Sequence, residues 1–349
     1  MDNLLNKTTI TRLIDTADLN ITNCTIIDDN CNDNLIENIV AITVTIFFGS
    51  IGILGLAGNS LVVIVVALNP GMRSTTNILI INLAVADLLF VIFCIPFTAT
   101  DFVLNYWPFG NVWCKIVQYI IIVTACASVY TLVLMSLDRF LAVVHPIASM
   151  TVRTENHAFL ATCIAWLVIL ILSIPVIIVH GEVPHHLQED KRVCRILPEV
   201  NWPLFQITFF LFSFLIPLTL ISVLYICMLV RLWRSSRGSA ESRRGRRRVT
   251  RLVLVVVGVF AVCWCPLQVI LVAKSIGYYP DNPMNIMLQI TSHVLAYMNS
   301  CVNPILYAFL SDNFRKAFRK IIYCKPRYDP KALGPSTKTT RAASSGDLL

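Results

Sequence analysis

Seven long apolar runs, each near or above the roughly 20 residues that cross a hydrocarbon core, constrain this chain more than any other feature. They lie at about 39–67, 75–100, 112–144, 158–180, 203–230, 249–276 and 284–310. Backbone groups inside lipid find no water, so each run must satisfy its own hydrogen bonds, and a helix does so. A barrel would need alternating strands of about ten residues, whereas these runs are apolar throughout. Short connections suit antiparallel neighbours. The expectation is an all-α membrane protein with a seven-transmembrane helix bundle over 39–310. Composition agrees: 56% of the 349 residues are hydrophobic and 14% charged, against about 25% charged in soluble domains.

The formal charge of +8 does not signal nucleic-acid binding, because it is sorted by position. Residues 1–38 hold Lys7 and Arg12 against seven acids, Asp2, Asp15, Asp18, Asp28, Asp29, Asp33 and Glu37. Between Arg231 and Arg251 the balance reverses, with Glu241 the lone acid. Cationic loops stay cytoplasmic, which places the N-terminus outside and the C-terminus inside. Asn6, Asn20 and Asn23 begin sequons in the acidic segment, so 1–38 is read as a glycosylated extracellular tail. Residues 1–30 lack the apolar core of a signal peptide, and the first span is expected to act as its own targeting signal. Over 311–324, Phe314 and Phe318 stand four apart among cations, which suits an amphipathic eighth helix on the inner membrane surface. Cys324 is its candidate palmitoylation site. Residues 325–349 are rich in Pro, Gly, Ser, Thr and Lys and are expected to form a disordered cytoplasmic tail.

Polar residues within apolar spans are costly and tend to be functional. Asp87 sits in the second run with no neighbouring cation. Asn59, Ser128, Asn299, Ser300 and Asn303 lie at similar depth in other runs. Hydroxyl and amide oxygens around a carboxylate suit a hard monovalent cation such as sodium; the other reading is a neutral cluster that joins helices. Asp138 and Arg139 close the third run. Pro175, Pro217, Pro266 and Pro304 fall in later runs, where each removes a backbone hydrogen bond and favours a kink. Cys114 and Cys194 both fall on the outer side, where an oxidising compartment favours a disulfide. Cys24 and Cys31 are a second candidate pair.

Together these residues resemble the motif set of the rhodopsin-like receptors over about 39–324. The match runs through Gly58-Asn59, Asn82-Leu83-Ala84-Val85-Ala86-Asp87, Asp138-Arg139-Phe140, Trp166, Pro217 with Tyr225, Cys263-Trp264-Cys265-Pro266 and Asn303-Pro304-Ile305-Leu306-Tyr307. The resemblance implies an agonist acting near Trp264, a sixth span that swings outward about Pro266, and an Arg139 that leaves Asp138 for Tyr225 and Tyr307. A heterotrimeric G protein would enter the resulting cleft, with arrestin, a receptor kinase and membrane lipids as further partners at the plasma membrane. The family's acidic residue at the base of the sixth span is replaced by Arg246, Arg247 and Arg248, so some basal activity is expected.

Two absences narrow the ligand. Amine receptors carry an acid in the third span where this chain has Ile121, and opsins carry a lysine in the seventh where it has Tyr297. The chain is most similar to galanin-like peptide receptors, and among them to the arthropod allatostatin-A receptors. The segments that carry this are 72–96, 107–119, 292–297 and 307–320. An amidated, aromatic-rich neuropeptide is then the expected agonist, entering tail first. Gln118, Gln268 and His293 are candidates for its terminal amide, and Phe97, Tyr119, Trp264 and Tyr297 for its aromatic side chains. Vertebrate galanin receptors carry paired histidines where this chain has Leu267 and Gln268. An opioid- or somatostatin-like receptor is the runner-up within the class. A transporter is the alternative outside it, disfavoured by the absence of internal repeats. No nucleophile–base set or phosphate loop suggests an enzyme, and no cofactor is expected beyond the sodium ion.

Overall fold

The computed structural model of the chain describes residues 29–69, 72, 74–104, 106–185, 188–234, 240–280, 282–310 and 312–322. The sequons at Asn6, Asn20 and Asn23, residue Cys24, Cys324 and the 325–349 tail lie outside the described residues, as do the side chains of Cys31, Arg246, Arg247, Arg248 and Tyr307.

Seven helical spans make up the bundle. The first is α1 (Asp29–Leu68). The second is α2 (Thr75–Phe93) continued by α3 (Ile95–Leu104), and the third is α4 (Gly110–Val144). A short α5 (Pro146–Val152) follows. The fourth span joins α6 (Glu155–Leu172) to α7 (Pro175–Val179). The fifth runs through α8 (Trp202–Phe210), a π-helical turn (Leu211–Leu215) and α9 (Ile216–Arg234). The sixth is α10 (Ala240–Ser275) and the seventh α11 (Pro283–Leu310).

Among the described residues, six helical stretches are long and apolar enough to cross a membrane. The seventh span is 28 residues long, about 42 Å at the helical rise. It is less apolar because Gln289, Ser292, His293, Asn299, Ser300 and Asn303 interrupt it. All but Gln289 and His293 are buried, so this helix turns its polar residues inward. Elsewhere apolar side chains point outward, as at Ile53 (71% exposed) and Val262 (66%), the pattern expected of a lipid-facing surface.

Helix ends follow local chemistry. Ser74, Thr154 and Asn201 accept backbone N–H bonds from Asn77, His157 and Leu204, filling orphan donors at three N-termini. Asn282 does the same for Asn285 ahead of the seventh span. Gly277, at φ 78°, ends the sixth span in the left-handed conformation that glycine tolerates.

Prolines mark breaks in the second, fourth and fifth spans, while the sixth and seventh helices continue through Pro266 and Pro304. The second span turns at Cys94, just before Pro96. Before Pro217 the fifth span loosens into the π turn, a common adjustment around a lost backbone bond. The freed Phe212 carbonyl accepts from the Tyr130 hydroxyl at 3.0 Å.

The third span is central, touching the second, fourth, fifth and sixth, while the first packs on the second and seventh. Side-chain amides join helices that the apolar effect alone would not select in lipid. Asn59 Nδ2 donates to the Ser300 carbonyl at 2.8 Å. Asn82 donates to Thr131 Oγ1 at 2.6 Å and accepts from Trp166 Nε1 at 2.7 Å, tying the second, third and fourth spans.

The fold is not wholly helical. Between the fourth and fifth spans β1 (His180–His185) pairs antiparallel with β2 (Gln188–Ile196), a hairpin absent from the sequence expectations. Beyond the seventh span, α12 (Asp312–Ile322) buries Phe314, Ala317 and Phe318 and exposes Arg315, Lys316 and Arg319. It packs against the first and seventh spans.

Candidate functional site

A cavity of about 510 Å³ enters the bundle under the hairpin. Its roof is fixed by the Cys114–Cys194 disulfide, which joins the start of the third span to β2 with 5.6 Å between Cα atoms. Trp107 N–H donates to the Arg192 carbonyl at 2.7 Å, adding a second tether. The hairpin thus lies across the mouth and leaves a channel beneath it.

Six of the seven residues expected to contact a ligand line this cavity: Phe97, Gln118, Trp264, Gln268, His293 and Tyr297. Tyr119 does not. Its hydroxyl donates to the Leu170 carbonyl at 2.9 Å, and its ring packs with Val123, Ala127 and Ile169 against the fourth span. Adjacent helical residues point about 100° apart, so Gln118 and Tyr119 cannot both face inward. Tyr119 is a packing residue.

The wall is mainly aromatic and amide. Phe97 stacks edge-on with Trp113 at 5.4 Å, and Tyr297 with Phe90 at 4.8 Å. The Tyr297 hydroxyl donates to Thr98 Oγ1 at 3.0 Å. Gln118 Nε2 lies 3.7 Å from Cys194 Sγ, and His293 Nδ1 lies 2.8 Å from the Gln289 carbonyl. At the floor, Trp264 meets Phe90 and Phe260 at centroid distances of 6.4 and 6.3 Å. Ile121 is on the wall, so the third span brings no acid there.

The sequence reading missed several wall residues. Asp101, Arg195 and Lys274 supply charge, and Gln206, Phe205 and His180 further surface. Arg195 Nη1 pairs with Asp101 Oδ2 at 2.8 Å, so the acid in this wall is matched by a hairpin cation. Asp101 stands three and four residues beyond Thr98 and Phe97, a helical spacing that could have flagged it. His180 is buried with Nδ1 3.0 Å from the Val176 carbonyl and its ring 5.5 Å from Phe205. Burial holds its pKa below the ordinary 6.5, against the opposing pull of that carbonyl.

Deeper in the bundle Asp87 is fully enclosed. Ser128 Oγ donates to its Oδ1 at 3.1 Å and Asn303 Nδ2 to its Oδ2 at 2.9 Å. Ser300 is close to it. The Oδ1 atoms of Asn59, Asn299 and Asn303 are buried and have no partner among the described residues. Such an all-oxygen donor set fits a hard cation.

At the end of the bundle opposite the hairpin, Asp138 is held from three sides. Arg139 Nη2 lies 2.6 Å and Arg153 Nε 2.7 Å from its carboxylate, and Thr76 Oγ1 donates at 3.0 Å. Arg153 was not anticipated; α5 carries it back from the loop. Tyr225 is buried nearby on the fifth span, and Pro266 and Pro304 lie within the sixth and seventh helices.

A family model described as 7 transmembrane receptor (rhodopsin family) matches residues 58–307. The chain is 62% identical over 330 residues to an allatostatin-A receptor of Bombyx mori, spanning 92% of this chain and 91% of that one. It is 38% identical over 303 residues to galanin receptor type 1 of Homo sapiens, spanning 84% of each chain. It is also 38% identical over 322 residues to the galanin-like G-protein coupled receptor npr-9 of Caenorhabditis elegans, spanning 82% of this chain and 74% of that one.

Proposed function

The chain belongs to the rhodopsin family of seven-transmembrane receptors, and from that premise we propose that its agonist is an amidated neuropeptide of the allatostatin-A type. The observation that carries the ligand class is the 62% identity to the Bombyx mori allatostatin-A receptor across nearly the whole of both chains. The cavity supports it. Its wall combines aromatic rings with neutral amides, and its one acid from the second span is already paired with Arg195. A cationic amine finds no free carboxylate on the third span, where Ile121 stands. Galanin peptides are the weaker reading at 38% identity.

In this reading the hairpin end faces outside and the Asp138–Arg139 end faces the cytoplasm of a plasma-membrane receptor. Residues 1–38 are the outer tail, glycosylated at Asn6, Asn20 and Asn23. Residues 311–324 are the membrane-surface helix, with Cys324 palmitoylated, and 325–349 form the inner tail. Agonist presses on Trp264 at the cavity floor, and the sixth span pivots about Pro266. Arg139 then exchanges Asp138 for Tyr225 and Tyr307, and the cleft receives a heterotrimeric G protein, later a receptor kinase and arrestin. The agonist moves this equilibrium only by binding the open state more tightly than the closed one. Asp87 with Ser128, Ser300, Asn299 and Asn303 would hold a sodium ion, which would supply a positive charge to the buried carboxylate.

A concentration–response curve in cells expressing the chain tests the reading, paired with nucleotide exchange on G protein in membranes. An amidated allatostatin-A-type peptide should drive both. Silence in both, with surface expression verified, would refute the ligand assignment.

A further inference from the structure

We propose that Trp264 and Gln268 form the subsite that takes the peptide's terminal carboxamide, and that this pair makes the receptor prefer an amide over a free acid. The inference rests on the peptide-receptor reading and names the residues that give it chemical selectivity.

Trp264 and Gln268 stand four residues apart on the sixth span, so their side chains occupy one face, and both line the cavity. Each is buried with one polar atom lacking a partner among the described residues: Trp264 Nε1, a donor, and Gln268 Oε1, an acceptor. Gln268 is oriented from below. Its Nε2 donates to Ser213 Oγ at 3.2 Å, which turns the oxygen away from the fifth span. Buried polar atoms without partners are rare in folded proteins and destabilising; here a donor and an acceptor line one cavity from the same helix.

A primary carboxamide is the complement of that pair. Its carbonyl accepts from the Trp264 indole N–H, and its NH₂ donates to Gln268 Oε1. A carboxylate has no proton for Gln268 and would bring two acceptor oxygens and a desolvated charge against it. Gln118 and His293 also make one contact each, with Cys194 Sγ and the Gln289 carbonyl, but among the described residues neither has a buried polar atom without a partner. On the neighbouring fifth span, Gln206 Nε2 is a second buried donor on the cavity wall without a partner among the described residues. It suits a backbone carbonyl further up a peptide that enters tail first.

Competition binding on the full-length receptor in membranes tests this, using an amidated allatostatin-A-type peptide and its free-acid twin. Wild type should favour the amide by about tenfold or more, the scale of one or two directed hydrogen bonds. Gln268→Leu should weaken the amide about tenfold while binding the acid no more weakly, so the ratio collapses. Gln268→Glu retains an acceptor and should keep the amide bound while weakening the acid further. Those opposite effects cannot come from a folding defect, which would weaken both peptides together. An unchanged amide-to-acid ratio in Gln268→Leu would overturn the subsite while leaving the receptor reading intact. Failure of wild type to bind either peptide would overturn the ligand assignment together with the subsite.

Discussion

Asp138 shows how much a single carboxylate can organise at the inner end of this bundle. Two guanidinium groups and one hydroxyl converge on it, with Arg139 from its own helix and Arg153 from α5. The Arg139 pair was legible in the sequence because the residues are adjacent. The Arg153 pair was not, since it depends on how α5 folds back over 15 residues. In the proposed resting state Arg153 holds Asp138 as the anchor of Arg139, so Arg153→Ala should raise basal nucleotide exchange. At about 1 kcal/mol for a partly exposed pair, the increase is roughly fivefold, against an Arg139→Ala control. Unchanged basal exchange would remove Arg153 from the resting lock. His180 gives a pH prediction at the same scale. Its pKa is held below 6.5 by burial, so the fold favours the neutral ring. Above that pH the group contributes nothing differential; as pH falls below it, the unfolded chain takes up the proton first and stability is lost. Thermal unfolding in detergent should therefore fall less steeply with acid in His180→Gln than in wild type. Equal slopes would show that His180 is not the titrating group.

Helices meet closely where the sequence places small residues. A Cβ added at Gly55 would come within 2.8 Å of Val91 Cγ2, and one at Gly58 within 3.1 Å of Pro304. Gly49 has nothing within 4 Å. Gly55→Ala should cost about 1–3 kcal/mol through overpacking, seen as a lower Tm in detergent, while Gly49→Ala should leave Tm unchanged. Equal effects would mean that the first and second spans can part without penalty. The spans themselves were readable because lipid demands long apolar runs, and α12 because its apolar residues share one face. The hairpin was hidden, since strands of mixed polarity over a cavity mouth show no clear alternation. So was the π turn, which answers the backbone bond lost at Pro217. Tyr119 falls outside the cavity because one residue of helical rotation separates the cavity from the fourth span, a distinction that an apolar run does not display.

Across the whole molecule the cavity and the Asp138 cluster occupy opposite ends, joined by the third and sixth spans. The six most apolar spans carry little of that linkage at their outer faces. The inward polar residues of the seventh span, with Asp87 and Asn59, form the internal contacts. Much of this axis was legible as motifs, because buried polar residues in a membrane stand out against their surroundings. The cavity's charge pairing was not, since Asp101 and Arg195 lie 94 residues apart and meet only through the hairpin. The central claim is that peptide bound at one end opens the other. The most direct test is a spin-label distance between Ile147→Cys on α5 and Leu254→Cys on the sixth span, both exposed positions. The labels would be placed in an otherwise unreactive cysteine background. The account predicts that the amidated peptide lengthens this distance as the sixth span swings outward. A distance unchanged at saturating, verified peptide binding would contradict it.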